Sequence, residues 1–145
     1  MKKLTVILLL SYLFIFNFSL NAQQNKNKEI SAVPIDTTMY PLIPGTINIK
    51  PYDRPYQGEI TKDTLLKANK LICSKKNYEI VSFVISAAVR GKLMESHNNG
   101  NIFSEETQIL IHKFSVGTKI FLEVVWVRSP ENKLIQIESF VLRII

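Results

Sequence analysis

Between residues 78 and 89 the alternate positions Val81, Phe83, Ile85, Ala87 and Val89 are all apolar, while Glu79, Ser82 and Ser86 break up the run. A period of two held over that length fits a β-strand with one buried face and lays no stripe along a helix. Two further stretches behave alike. In residues 118–128, Ile120, Leu122, Val124 and Trp126 share one face, and Phe121, Val125 and Val127 the other around Glu123. Both faces of that strand are therefore expected to be partly covered. In residues 133–145 the apolar set runs Ile135, Ile137, then Phe140, Leu142, Ile144. The phase shifts at Glu138-Ser139, which predicts a β-bulge there.

Between these strands the punctuation is clear. Arg90-Gly91 closes a turn into a short strand over residues 92–96, and Asn98-Asn99-Gly100 accepts positive φ. Ser104 caps a helix with Glu105 and Glu106 at the positive end of its dipole, Lys113 near the negative end and Gly117 as its terminator. Phe103, Leu110, Ile111 and Phe114 form its buried stripe. Ser129-Pro130-Glu131-Asn132 turns the chain between the last two strands.

Upstream, residues 46–50 read as a short strand, Pro51 and Pro55 enclose a turn-rich passage ending at Gly58, and residues 61–69 form a modest helix capped by Thr61. Residues 23–45, polar and punctuated by Pro34, Pro41 and Pro44, keep no period and read as a flexible tether. Joined in the simplest way, residues 46–145 make a mainly β, antiparallel, sandwich-like domain with one packed helix in a β-β-α-β-β core.

The first 22 residues stand apart. Lys2 and Lys3 precede an apolar run over residues 4–20, and Asn21-Ala22 ends it with a small residue before polar Gln23-Gln24-Asn25. This is the pattern of a secretory signal cleaved between Ala22 and Gln23. The competing reading is a retained anchor, since the run lies just under the roughly 18 to 20 residues of a spanning helix. The chain is accordingly read as exported to the periplasm, with an extracellular or inner-membrane-anchored placement as the alternative.

Cleavage leaves 123 residues with 16 basic and 12 acidic groups; Lys2 and Lys3 leave with the signal, and the net charge falls from +6 to +4. The remaining charges are interspersed, with Lys75-Lys76 the only basic pair, so no phosphate-tracking stripe and no nucleic-acid partner is expected. Cys73 is alone and cannot form an internal disulfide, so the domain must stand on its core, where Cys73 serves as a small apolar residue.

A search for chemistry finds little. No elbow of the G-x-S-x-G kind occurs, the five glycines are isolated, and His97 and His112 with Glu95 make a metal site only if the fold gathers them. Adjacent Glu105 and Glu106 point about 100° apart on a helix and do not form a paired-carboxylate site. No catalytic residue, cofactor, metal or small-molecule substrate is expected. Tyr52, Arg54 and Tyr56, near two prolines, offer a small aromatic recognition surface, and the second face of residues 118–128, with Phe121, Val125 and Val127, extends the candidate interaction surface.

One ordered series resembles a known family. Gly58-Glu59-Ile60-Thr61-Lys62 with Leu65 and Ala68, Ile80-Val81-Ser82-Phe83-Val84-Ile85-Ser86, Ser96-His97-Asn98-Asn99-Gly100 with Phe103-Ser104 and Glu106, Gly117 with Ile120-Phe121, and Ile137-Glu138-Ser139-Phe140 resemble the C-terminal domain of the gliding-motility protein GldM, called PorM in non-gliding relatives. That family belongs to the type IX secretion machinery of Bacteroidetes. The resemblance implies an immunoglobulin-like domain in the periplasm that works by protein contact. The family's energy-transducing transmembrane helix carries a glutamate; residues 4–20 have no Asp, Glu, His, Lys or Arg, so no motor role is expected. The expected function is a non-catalytic binding module whose partner is an envelope protein or a second copy of itself. The alternative is a secreted effector or inhibitor that binds a partner outside that machinery through an edge strand.

Overall fold

The computed structural model describes residues 34–50 and 54–145. The signal with its cleavage point at Ala22 and Gln23, the first part of the expected tether, and Tyr52 lie outside the described residues. Among the described residues no helix is long and apolar enough to cross a membrane.

The protein is mainly β. Along the chain come β1 (Ile35–Asp36), β2 (Pro41–Leu42), β3 (Ile47–Lys50), β4 (Tyr56–Ile60), α1 (Lys62–Ala68), β5 (Ile72–Cys73), β6 (Glu79–Val89), β7 (Lys92–Asn99), α2 (Glu105–His112), β8 (Lys119–Arg128), β9 (Leu134–Ile137) and β10 (Phe140–Ile144). Eight strands join one sheet around β8: β6 runs along one of its edges, while β10 and β9 share the other, opposite residues 119–122 and 125–128. β7 extends the sheet beyond β6, β4 and β3 extend it beyond β10, and β1 lies beyond β9. β2 and β5 form a separate pair.

The expected β-β-α-β-β run is present as β6, β7, α2, β8 and β9/β10. The β6–β7 hairpin closes through Arg90 (φ 51°) and Gly91 (φ 76°), both left-handed as a type I′ turn requires. The expectation of purely antiparallel pairing is corrected: β1 pairs with β9, and β4 with β10, in parallel. Parallel pairing needs a long crossover, and the chain between β4 and β10 supplies one. β4 itself begins inside the stretch read as turns, at Tyr56.

The faces of the long strands are also corrected. On β8 the buried residues are Ile120, Leu122, Val125 and Val127, so its phase changes at Glu123-Val124. Val124 sits there with φ 49°. Opposite this rung lie Glu138-Ser139, where β9 gives way to β10 and the buried set passes from Ile137 to Phe140. Both strands turn over together, so their pairing keeps one register on either side, Val125 against Ile137 and Leu122 against Phe140. On β6 the register with β8 shifts between Ile80 and Ser82 and again between Ser82 and Val84, which buries Ile80 as well as Phe83, Ile85 and Ala87. The irregularity expected at Glu138-Ser139 is thus one rung of a break that crosses three strands.

The tether expectation is corrected from residue 34 onward. Met39 and Ile43 are 1% and 0% exposed, and the Tyr40 ring packs 4.3 Å from Tyr56 and 5.6 Å from Phe140 between centroids. Two-residue strands and single buried anchors show no period, which is why this passage resembles a linker in sequence.

The helices cover the inner face of the sheet. Thr61 caps α1 by accepting the Thr64 N–H, and Asn69, left-handed at φ 49°, closes it by donating to the Leu65 carbonyl. Ser104 caps α2 by accepting the Thr107 N–H. Gly117 lies beyond the helix rather than ending it: α2 stops at Lys113, and Gly117 (φ 88°) donates to the Ile144 carbonyl. Leu65, Leu110 and Ile111 share one core with Phe83, Ile85, Leu122, Phe140 and Leu142. A buried polar knot fixes α2 to β7: Asn98 Oδ1 accepts from the Ser104 N–H and from Thr107 Oγ1, each at 2.8 Å, and Thr107 Oγ1 is also 2.8 Å from Ser96 Oγ. Asn98, expected in a turn, therefore belongs to β7 and helps to start the helix.

Candidate functional site

Helices and the 39–43 segment pack on one face of the sheet, and the strand registers assign the residues of the other. Ser86 is level with Glu95 on β7 and Phe121 on β8, Phe121 with Val141 on β10, and Val141 with Gln57 on β4. The next rung holds His97, Val84 and Glu123, and the rung on the other side holds Lys119, Arg143 and Glu59. Phe121, Val84 and Val141 are half-buried, each between inward neighbours that are buried. Leu93, at the far edge on β7, is 72% exposed, and Val124 at the strand break is 52% exposed.

This outer face has an apolar centre and a charged border of both signs. Ser86 Oγ donates to Glu123 Oε2 at 2.7 Å and ties β6 to β8 within it. At the border Glu95 and His97 approach to 3.7 Å, both well exposed, an arrangement worth little to stability. Toward β3 the face ends in a shallow depression lined by Asn48, Ile49, Lys50, Gln57, Glu59 and Arg143.

The expected interaction residues fall differently. Val125 and Val127 are 0% exposed and belong to the core, because the strand turns over before them. Tyr56 is buried too, its ring against Tyr40 and its hydroxyl donating to the Thr37 carbonyl at 3.1 Å. Arg54 is exposed, Phe121 lies on the outer face, and Tyr52 is outside the described residues. Val84, Ser86 and Val141 were not expected there. The alternation that buries Phe83, Ile85, Phe140 and Leu142 already turns them outward, whereas the phase shift at Glu138-Ser139 is the signal for the burial of Val125 and Val127, since a paired strand must shift opposite it to keep its contacts.

Other reactive groups stay apart. Among the described residues no three His, Cys, Asp or Glu side chains gather as a metal site. Cys73 is half-buried, and burial pushes its thiol pKa up, away from the reactive thiolate. No family model matches the chain, and no curated protein does. What the outer face can do is therefore argued from its own side chains, which suit contact with another apolar-centred surface.

Proposed function

We propose that this protein is an exported, non-catalytic interaction domain that docks an envelope protein through the outer face of its sheet, in association with the type IX secretion or gliding machinery. The observation that carries the docking reading is the half-buried apolar centre of Val84, Phe121 and Val141 on the sheet face opposite the helices, flanked by highly exposed Leu93. The envelope placement rests on the basic, apolar and small-residue order of residues 1–22, and the machinery on the ordered likeness to GldM.

The immunoglobulin-like grouping is part of the same proposal. Its support is the antiparallel β7–β6–β8–β10 ladder, and the parallel β4–β10 pair is its departure from a purely antiparallel sandwich. A photo-crosslinker placed at Leu93 or at Phe121 in living cells tests the reading. Adducts with a type IX component from both positions, absent from a control at exposed Lys67, are the expected outcome. Adducts from all three positions alike, or unchanged export and spreading after gene deletion, would refute it and favour the secreted-effector alternative.

A further inference from the structure

A second surface lies away from the outer sheet face. The type I′ turn between β6 and β7 and the C-terminal end of α2 flank a cleft lined by Val89, Arg90, Lys92, Met94, His112 and Lys113. Val89 and Met94 are half-buried, and Arg90, Lys92, His112 and Lys113 are exposed around them. No acidic side chain lines the cleft, and none of its four basic groups is ion-paired among the described residues.

Turn chemistry does not account for Arg90 or Lys92, and helix capping accounts for Lys113 only in part. Arg90 holds φ 51°, a conformation that asparagine and glycine accept and that costs an arginine about 1 to 2 kcal/mol. Lysines at a helix C-terminus usually complement its carbonyls, but here Lys62 Nζ, from α1, already donates to the carbonyls of His112 and Phe114. Lys113 and His112 are thus left to face the cleft beside Lys92 and Arg90. The three cations Arg90, Lys92 and Lys113, gathered without a counter-charge, repel one another and gain when an anion enters.

We propose that this cleft binds an acidic peptide segment with an apolar anchor, its carboxylates on Arg90, Lys92 and Lys113 and its apolar side chain on Val89 and Met94. Charge complementarity selects the acid and the apolar floor selects a peptide over a bare anion. A membrane is disfavoured because a flat bilayer surface does not reach the floor of a cleft between a turn and a helix end. The proposal does not depend on the outer sheet face.

Fluorescence anisotropy on the purified protein tests it, with a short labelled peptide alternating aspartate and leucine as probe. Saturable binding that weakens as salt rises is expected. K92E/K113E should weaken it roughly tenfold, whereas K119E/R143E, on the outer sheet face, should not. R90N should weaken it about threefold while the melting temperature holds or rises, since asparagine accepts the left-handed turn. If K92E/K113E does not fold, R90N and K113Q carry the comparison. Absence of saturable binding, equal weakening by K119E/R143E, or equally tight binding of inorganic phosphate or of phosphatidylglycerol vesicles would overturn the proposal.

Discussion

Val124 and Val125 are adjacent, chemically identical and expected to respond very unequally to loss of their side chains. Val125 is 0% exposed, so Val125→Ala removes two buried methyl groups and leaves a cavity, a loss of about 2 to 3 kcal/mol. Val124 is 52% exposed with φ 49°, a backbone state that costs a β-branched residue about 1 to 2 kcal/mol. Val124→Gly relieves that strain, forfeits about 1 kcal/mol of partial burial and adds about 0.5 to 1 kcal/mol of chain entropy to be lost on folding. The terms nearly cancel, and the variant should sit within about 1 kcal/mol of the parent. Urea denaturation followed by tryptophan fluorescence from Trp126, the chain's single tryptophan, reads both. At about 4 to 8 °C per kcal/mol for a domain of this size, Val125→Ala should also melt roughly 10 °C or more lower. Uninterrupted alternation along β8 would reverse the ranking, with Val124→Gly severe and Val125→Ala mild. That result would refute the three-strand break.

Three further outcomes follow from other sites. Thr107→Val keeps the side-chain shape but leaves Ser96 Oγ and Asn98 Oδ1 each short of a buried partner, and should cost about 1 to 3 kcal/mol in chemical denaturation. Asn69→Gly keeps the left-handed helix end and removes a buried side-chain oxygen that has no hydrogen-bond partner, so it should raise stability by about 1 kcal/mol. The Asp36 carboxylate accepts from the Thr38 hydroxyl at 2.6 Å and from its N–H at 2.8 Å, which lowers its pKa. Its small contribution is therefore present above the unfolded-state pKa and fades as pH falls through the lowered folded value; NMR titration should find Asp36 below the ordinary aspartate range, and Asp36→Asn should flatten the acid limb of the stability curve.

Legibility in the sequence tracked the range over which each structural decision is made. The β6–β7 hairpin, its Arg90-Gly91 turn, the Ser104 cap and the existence of β8 and β10 were readable because neighbours within a few residues decide them. β4 was not, since Gly58 and the flanking prolines argue for turns, and only pairing with β10, some eighty residues later, makes it a strand. Met39 and Ile43 escaped notice because an isolated anchor has no period. The candidate surface was half-readable for one reason: a left-handed valine defies its own propensity, so nothing local announces that β8 turns over at Val124. Phe121, before the break, lies half-buried on the outer face; Val125 and Val127, expected to share its face, lie after the break and point into the core.

The position of β10 has a consequence for how the protein comes into being. It is the last of the described strands, yet it lies inside the sheet, paired on one edge with β8 and on the other with β4, while the Ile144 carbonyl accepts from Gly117 and the Ile145 N–H donates to the Ile60 carbonyl. A nascent chain lacking these residues can already reach β8 from β1 through β9, but it has no bridge from β8 to β4 and β3. Closure of the sheet waits until residues 140–144 have been made. If residues 1–22 are the export signal proposed above, a chain drawn into its membrane before residues 140–144 are made crosses with the sheet still open, and the fold is completed on the far side.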